Sequence, residues 1–414
     1  MSAARRFSSR TFAALSVRNF RLYFIGQLIS VSGTWMQSVA QGWLVLQITG
    51  SSVDLGIAVA LQYVPMLLLG SYGGLIADRH EKRRILYFTQ VSAALLALVL
   101  GLLVTTHHVT VATVFVLAGL LGVVNMFDVP ARQAFVQEMV GRDLIANAVS
   151  LNSVLMNAGR LIGPGIAAGF IAVVGTAVCF YANAVSYLAV LLALALMRRA
   201  EFLPMRTVER EKGQLRLGLR YVAANPVLRD VILSVAVVGT FAYNFTVMLP
   251  LLTRHTFHQT SAADYGLLMA AMGLGAVFGG LFVAHRSRPT PRLIATLLLG
   301  FGLFMTLTSF APSITWAEIA LVPTGAFSIA FMSSANATLQ LNSSQHMRGR
   351  VMSLYGIAFL GTTPIGAPLI GAIIAATNPR IGMEVGSGFA LITGVWLVIS
   401  LRQDERNIAM LQRA

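Results

Sequence analysis

The feature that most constrains the fold of this chain is a series of twelve apolar stretches that together span most of its 414 residues. A helix that crosses the hydrocarbon core of a bilayer needs about 20 largely apolar residues. The stretches occupy residues 20–46, 54–77, 85–106, 110–135, 145–170, 173–197, 227–251, 264–284, 292–311, 314–337, 350–375 and 381–401. Only 11% of the residues are charged, against about 25% in a soluble domain. The pattern predicts an all-α membrane protein with twelve transmembrane helices.

The basic residues predict which side of this protein faces the cytoplasm. All but three of the 30 Lys and Arg residues fall in the tails or at the junctions on one side of the predicted membrane. Because cytoplasmic loops retain positive charge, we expect both termini in the cytoplasm. Arg254 and Arg380 fall on the other side, and Arg160 falls inside a stretch. The net charge of +15 therefore marks a membrane face and does not indicate a nucleic-acid partner.

The longest polar stretch divides the apolar ones into two groups of six. The predicted organisation is a cytoplasmic segment 1–19, a six-helix bundle 20–197, a linker 198–226, a second bundle 227–402 and a tail 403–414. Four short matches relate the bundles at offsets of 206, 210, 206 and 203 residues; one of them pairs Asp54-Leu55-Gly56 with Asp264-Tyr265-Gly266. Parallel six-helix repeats are a transporter architecture, with a substrate site between the halves.

Several motifs resemble those of the major facilitator superfamily, over nearly the whole chain. The segment from Gly74 to Arg84 is similar to its loop G-x-x-x-D-[RK]-x-G-[RK]-[RK], with Glu81 in place of the second glycine. Asn19-Phe20-Arg21, Asp128-Val129-Pro130-Ala131-Arg132 and Arg160-Leu161-Ile162-Gly163-Pro164 resemble the enterobactin-exporter-type, drug:proton antiporter branch. The resemblance implies a monomeric secondary transporter without a cofactor in the bacterial inner membrane. It implies export of drugs, siderophores or other amphiphilic small molecules by alternating access, driven by protons.

The loop motif predicts a conformational latch at the cytoplasmic end of the second stretch. Its members are Gly74, Asp78, Arg79 and Arg83. An acid at this place can pair with an arginine or with a helix N-terminus. The alternative is a cluster of charges that only sets the topology, with a solvated acid.

The fifth stretch carries Gly159-x-x-x-Gly163-Pro164, similar to an antiporter motif G-x-x-x-G-P-x-x-G-G with Ala167-Ala168 in place of the last two glycines. Small residues one turn apart let another helix approach closely, and the proline bends the helix. The alternative is ordinary small-residue packing.

Arg160 is the one cation that the topology leaves unexplained. A charge in mid-membrane is functional by default, and Ser153, Asn157 and Arg160 share one helix face. Asp128 is the nearest candidate counter-ion, with Arg132 one turn beyond it. We therefore expect Asp128, Arg132 and Arg160 to form a proton-coupling network. The alternative is a static ion network that braces the fourth and fifth helices.

Polar side chains on the apolar helices predict a neutral substrate cavity. The first stretch carries a polar stripe with Gln27, Thr34, Gln37 and Gln41, and the later ones carry Asn157, Asn244 and Thr324. In the resembled family the first, fourth, seventh and tenth helices line the central cavity. The alternative is hydrogen bonding between helices without a ligand.

The sequence lacks the motifs that are typical of several other classes of protein. The two lysines, Lys82 and Lys212, each follow Glu, so a phosphate loop for an ATP-driven pump is absent, as are HExxH and G-x-S-x-G. Cys179 is the single cysteine, and the paired histidines have no accompanying carboxylate or thiol, so we expect no metal site. An importer, a lipid or lysolipid translocator of the same fold, and a non-transporting membrane sensor remain open.

Overall fold

The computed structural model describes residues 12–203, 214–285 and 289–411, with residues 401–411 described by their backbone alone. Parts of the predicted segment 1–19, linker 198–226 and tail 403–414 therefore lie outside the described residues. The described chain forms the helices α1 Arg18–Thr49, α2 Ser52–Arg79, α3 Lys82–Thr105, α4 Val111–Gly141, α5 Asp143–Val173, α6 Ala177–Leu196, α7 Gln214–Ala224, α8 Pro226–Phe241, α9 Phe245–Leu251, α10 Ala262–His285, α11 Pro291–Ser309, α12 Ile314–Leu341, α13 Arg348–Phe359, α14 Thr363–Ala376 and α15 Pro379–Leu411.

Within the described residues, eleven helical stretches are long and apolar enough to cross a membrane. They correspond to the second through twelfth apolar stretches of the sequence. The first stretch is also helical, as the 32-residue α1. Its glutamines, serines and threonines lower its hydropathy, which separates it from the other eleven. The all-helical membrane fold is thus confirmed. Length and composition alone do not identify α1 as a membrane span.

A sharp turn at Gly141 separates α4 from α5 within one continuous run of helical residues. Gly141 has φ 72° and ψ 179°. With positive φ and ψ near 180°, this residue lies in a region that is essentially restricted to glycine, where a residue with a Cβ atom is strained by about 1–3 kcal/mol. Glycine at this position therefore lets two long helices follow each other almost without a loop.

The chain divides into two compact units. Unit 1 consists of Met1–Gly50, Leu61–Glu209 and Ser261–Ala270, and unit 2 consists of Ser51–Ala60, Arg210–Thr260 and Ala271–Ala414. The short segments at the start of α2 and α10 each pack within the unit formed mainly by the other half of the chain.

Corresponding contacts hold these two short segments. In unit 2, the Ser52 hydroxyl donates to the Gly371 carbonyl oxygen at 2.8 Å. In unit 1, a methyl group at Gly266 would lie 2.9 Å from the Pro164 carbonyl oxygen. The equivalent places in the two halves are thus both sites of close helix packing.

Two of the predicted spans in unit 2 are interrupted near their middle, which the apolar pattern did not predict. The seventh breaks between α8 and α9, and the eleventh breaks between α13 and α14, where Pro364 stands in the first turn. The breaks face each other, because a methyl group at Gly239 would lie 2.7 Å from the Thr362 hydroxyl oxygen. Non-helical backbone at membrane depth is tolerated where protein covers it, and here each break covers the other.

Candidate functional site

The carboxylate of Asp128 lies inside unit 1 and is the centre of a hydrogen-bonded cluster. Asp128 is 3% exposed. Its Oδ1 accepts hydrogen bonds from the Thr89 hydroxyl at 2.7 Å and from Gln90 Nε2 at 2.8 Å. A carboxylate moved out of water costs several kcal/mol unless donors and an opposite charge compensate it. The two α3 side chains supply part of that compensation.

Arg132 supplies the opposite charge. Its Nε lies 2.8 Å from Asp128 Oδ2, and its Nη2 contacts the same oxygen. Its Nη1 donates to Gln27 Oε1 on α1. The cluster therefore joins α1, α3 and α4 through one acid, one base and three neutral polar groups. The predicted pairing of Asp128 with Arg132, one turn apart on α4, is present in the structure.

Thr89 and Gln90 were not predicted as members of this cluster. The signal available in the sequence was a pair of adjacent polar residues within the apolar stretch 85–106. That signal does not show which neighbouring helix the side chains contact.

The guanidinium of Arg160 lies against an aromatic ring of α1. Its Cζ lies 4.9 Å from the centroid of the Trp35 ring on α1, which is a cation–π arrangement. Asp128 is held by Thr89, Gln90 and Arg132. Asp128 is 13 residues before Gly141 and Arg160 is 19 after it, a difference of about 9 Å along helices that rise 1.5 Å per residue. The contact of Arg160 with Asp128 stays a prediction.

The polar face of α5 lies at the surface of unit 1. Ser153 is exposed, and Asn157 and Arg160 are half-exposed. Thr34 on the adjacent α1 is exposed as well, with its hydroxyl donating to the Ser30 carbonyl at 3.0 Å. Two predicted cavity residues, Thr34 and Asn157, are therefore accessible from outside unit 1.

The other predicted cavity residues of α1 are buried. Gln37 is buried and accepts a hydrogen bond from Asn183 Nδ2 of α6 at 2.7 Å. Gln27 is bound to Arg132, and Gln41 is 5% exposed.

In unit 2 the same holds for Asn244 and Thr324. Asn244 is buried and donates to the Thr240 carbonyl at 2.7 Å, and Thr324 is buried with its hydroxyl 3.3 Å from that of Thr308 on α11. These contacts correspond to the alternative of hydrogen bonding between and within helices. Periodicity shows which residues share a face, but it does not show which neighbour covers that face.

The glycines of the antiporter-like motif pack α5 against α1. A methyl group at Gly159 would meet the Val31 side chain, and one at Gly163 would meet the Ser32 carbonyl oxygen and the Trp35 side chain. Pro164 is buried in the same stretch. Arg160 lies one turn before Pro164 on α5, and the close approach of the two helices places Trp35 beside it.

The predicted latch residues lie near the end of α2 and the start of α3. Gly74 is buried, Asp78 is half-buried and Arg79 is exposed. Arg83 is buried, and its Nε and Nη2 donate to the Leu194 carbonyl oxygen of α6 at 3.0 and 2.6 Å. Arg83 therefore ties α3 to the last turn of α6, where a cation is favoured by the helix dipole.

Comparisons with known proteins agree with this fold. The chain matches the family described as transmembrane secretion effector over residues 9–414. It is 27% identical over 399 residues to the multidrug efflux pump Tap of Mycolicibacterium fortuitum, covering 94% of this chain and 97% of Tap. It is 26% identical over 394 residues to the enterobactin exporter EntS of Shigella flexneri, covering 94% and 92%.

A crystal structure of a bacterial homolog of the human lysosomal transporter Spinster has the same fold. The TM-score is 0.69 at 17% identity, and the match covers 95% of this chain and 97% of that one. At this identity the likeness supports the fold alone.

Proposed function

This chain belongs to the transmembrane secretion effector family of the major facilitator superfamily, and on that premise we propose that it is a proton-coupled exporter of amphiphilic small molecules such as drugs, siderophores or secondary metabolites. It is a multi-pass inner-membrane transporter and not an enzyme. Its relatives include a multidrug efflux pump and an enterobactin exporter, which supports outward transport.

The cluster around Asp128 carries the proton part of the proposal. The buried negative charge of Asp128 is compensated by three hydrogen-bond donors on two helices: Thr89, Gln90 and Arg132. A motion that separates Arg132 from Asp128 leaves a charge in a medium of low dielectric constant, where taking up a proton removes the cost. Protonation would thereby be coupled to the arrangement of α3 and α4, which is what an antiporter requires.

The proposal includes α1 as the twelfth membrane span, with both termini in the cytoplasm. Two of the polar side chains that lower the hydropathy of α1 accept hydrogen bonds from other helices of unit 1. Gln27 is bound by Arg132 and Gln37 by Asn183. Polar groups satisfied in this way are tolerated inside a membrane protein, and they hold neighbouring helices together. We further propose that the protein acts as a monomer by alternating access, with the substrate passing Thr34 and Asn157.

The latch predicts a specific effect of Asp78→Asn. Insertion into the membrane should be unchanged, because this residue is half-buried near a helix end. The efflux rate should fall about tenfold to a hundredfold, since one charge-assisted hydrogen bond at the latch is worth about 1.5–3 kcal/mol. Efflux of a loaded dye, normalised to protein in the membrane, measures this. Glu81→Gln serves as the matched control. It removes a second acid of the same loop, which is paired with Arg84. Equal rates in Asp78→Asn and wild type would reject the latch.

Everted membrane vesicles test the function as a whole. Vesicles energised by respiration should accumulate an amphiphilic dye when they contain the protein, and a protonophore should abolish the accumulation. An importer would instead deplete preloaded vesicles, a lysolipid translocator would move labelled lysolipid and not the dye, and a sensor would move neither. Accumulation that persists after the protonophore would contradict proton coupling.

A further inference from the structure

We propose that three buried polar side chains next to the Asp128–Arg132 pair bind water, and that this water delivers the proton to Asp128. The three side chains are those of Tyr23, Gln27 and Gln90. The second part of this inference rests on the proposed function, whereas the first part concerns the interior of unit 1 alone.

Each of the three side chains has a polar atom without a hydrogen-bond partner in the part of the chain that the structure describes. These atoms are Tyr23 Oη, Gln27 Nε2 and Gln90 Oε1. The three residues are at most 2% exposed, so bulk solvent does not reach them. An unpaired buried polar atom destabilises a fold, and most buried polar atoms in native proteins are bound by protein or by ordered water. Three unpaired atoms around one ion pair therefore indicate a ligand.

The ion pair determines which atom of each glutamine is left over. Arg132 can only donate, so the side-chain oxygen of Gln27 faces it and the amide nitrogen remains. The ionised carboxylate of Asp128 can only accept, so Nε2 of Gln90 faces it at 2.8 Å and the oxygen remains. Turning either amide over would break its bond to the ion pair. The cluster thus keeps one donor on α1 and one acceptor on α3.

The hydroxyl of Tyr23 is the third unpaired group. Tyr23 lies one turn before Gln27 on α1 and interacts electrostatically with both members of the ion pair. Tyr187 of α6 interacts with the same two charges, but its hydroxyl is hydrogen-bonded to the side chains of Thr34 and Asn183. The Tyr23 hydroxyl is therefore the one that remains for a ligand.

Water fits this set of atoms. A buried water molecule makes about three hydrogen bonds to groups that are otherwise unsatisfied. It can accept from Gln27 Nε2, donate to Gln90 Oε1 and either donate to or accept from Tyr23 Oη. A metal cation is disfavoured, because Arg132 already neutralises the carboxylate and Gln27 directs an N–H group at the site.

Water at this place also explains how a proton reaches a carboxylate that is only 3% exposed. When Arg132 moves away, a proton that arrives from solvent as hydronium passes to Asp128. One O–H bond of the hydronium breaks, one O–H bond forms on the carboxylate, and a neutral water molecule stays in the site.

Radiolytic labelling of the purified full-length protein tests for the water. Short X-ray pulses convert water into hydroxyl radicals, which oxidise the side chains that contact it, and mass spectrometry locates the product. We expect Tyr23 to be oxidised although it is buried. Tyr265 on α10 is the matched control, because it is 0% exposed and its hydroxyl also has no partner among the described residues, but it lies outside the cluster. Equal oxidation of the two tyrosines would overturn the water site.

The variant Tyr23→Phe tests the site independently, through the sign of a stability change. Loss of a hydroxyl that binds water should lower the midpoint of thermal unfolding, by about 1–3 °C. Loss of a hydroxyl that binds nothing should instead raise the midpoint, because a buried unpaired group is removed. We expect a lower midpoint for Tyr23→Phe and no decrease for Tyr265→Phe. An unchanged or higher midpoint for Tyr23→Phe would overturn the site.

Proteoliposomes test the proton part of the inference. Luminal acidification during substrate efflux should be about two- to tenfold slower with Tyr23→Phe, the effect of one lost hydrogen bond, and Tyr265→Phe should keep the wild-type rate. A wild-type rate in Tyr23→Phe overturns delivery of the proton by this water. A wild-type protein that moves no protons rejects the proposed function and delivery together, whereas labelling and thermal unfolding still decide whether the site binds water.

Discussion

Replacing Asp128 with asparagine should abolish export driven by a pH gradient while leaving substrate binding unchanged. Asparagine retains the shape of the side chain and can still accept from the Thr89 hydroxyl, but it cannot take up or release a proton. It also leaves Arg132 without its opposite charge. Because the Arg132 side chain is 23% exposed, we expect the stability cost near the low end for a broken buried pair, about 3 kcal/mol.

Transport in proteoliposomes with an imposed pH gradient measures the loss of export. Binding of a fluorescent amphiphile in detergent measures whether substrate binding is unchanged. Glu138→Gln is the matched control, because Glu138 lies on the same helix and pairs with Lys82 at 3.1 Å near the end of α4. The control should keep coupled transport. If Asp128→Asn still exports at the wild-type rate under the gradient, the cluster is a static brace between α3 and α4, and the proton site lies elsewhere.

Gly163→Leu should prevent correct packing of unit 1. The first added carbon would meet the Ser32 carbonyl oxygen and the Trp35 side chain, and backbone atoms cannot move aside as a side-chain tip does. Extra methylenes in a packed core cost about 1–3 kcal/mol, and a contact against backbone lies at the upper end. Separation of α1 from α5 would also displace Trp35 from Arg160.

Gly165→Leu is the matched control for this prediction. It makes the same change two residues along α5, where a methyl group would meet nothing within 4 Å. Thermal unfolding followed by size-exclusion chromatography should show a lower midpoint for Gly163→Leu and a midpoint near wild type for Gly165→Leu. Equal midpoints for the two variants would contradict close packing of α1 on α5 through this glycine.

The helical fold could be predicted from the sequence because each bilayer crossing requires a whole apolar stretch, and short polar junctions separate the stretches. Gly141 shows the limit of this reasoning. The sequence predicted two helices around it, but only the backbone shows that a turn at a single glycine with positive φ joins them. The breaks after Phe241 and Phe359 were also missed, since the few polar residues at each, such as Asn244 and Thr362, lie inside stretches that are apolar as a whole.

The candidate site could be predicted only where partners lie on one helix. Asp128 and Arg132 are one turn apart, so their pairing follows from helix geometry. Arg160 and Trp35 come from different helices, and their contact depends on depth and on the close approach at Gly163. The sequence identified Arg160 as a cation to explain, but it did not indicate that this side chain stacks on Trp35.

Proton movement during substrate transport tests the central claim most directly. Proteoliposomes would carry a pH-sensitive dye in the lumen and receive an outwardly directed gradient of an exported amphiphile, with no pH gradient at the start. The account predicts that substrate leaving the lumen acidifies it, and that the signal is absent with Asp128→Asn. Substrate efflux without any change in luminal pH would contradict proton-coupled antiport.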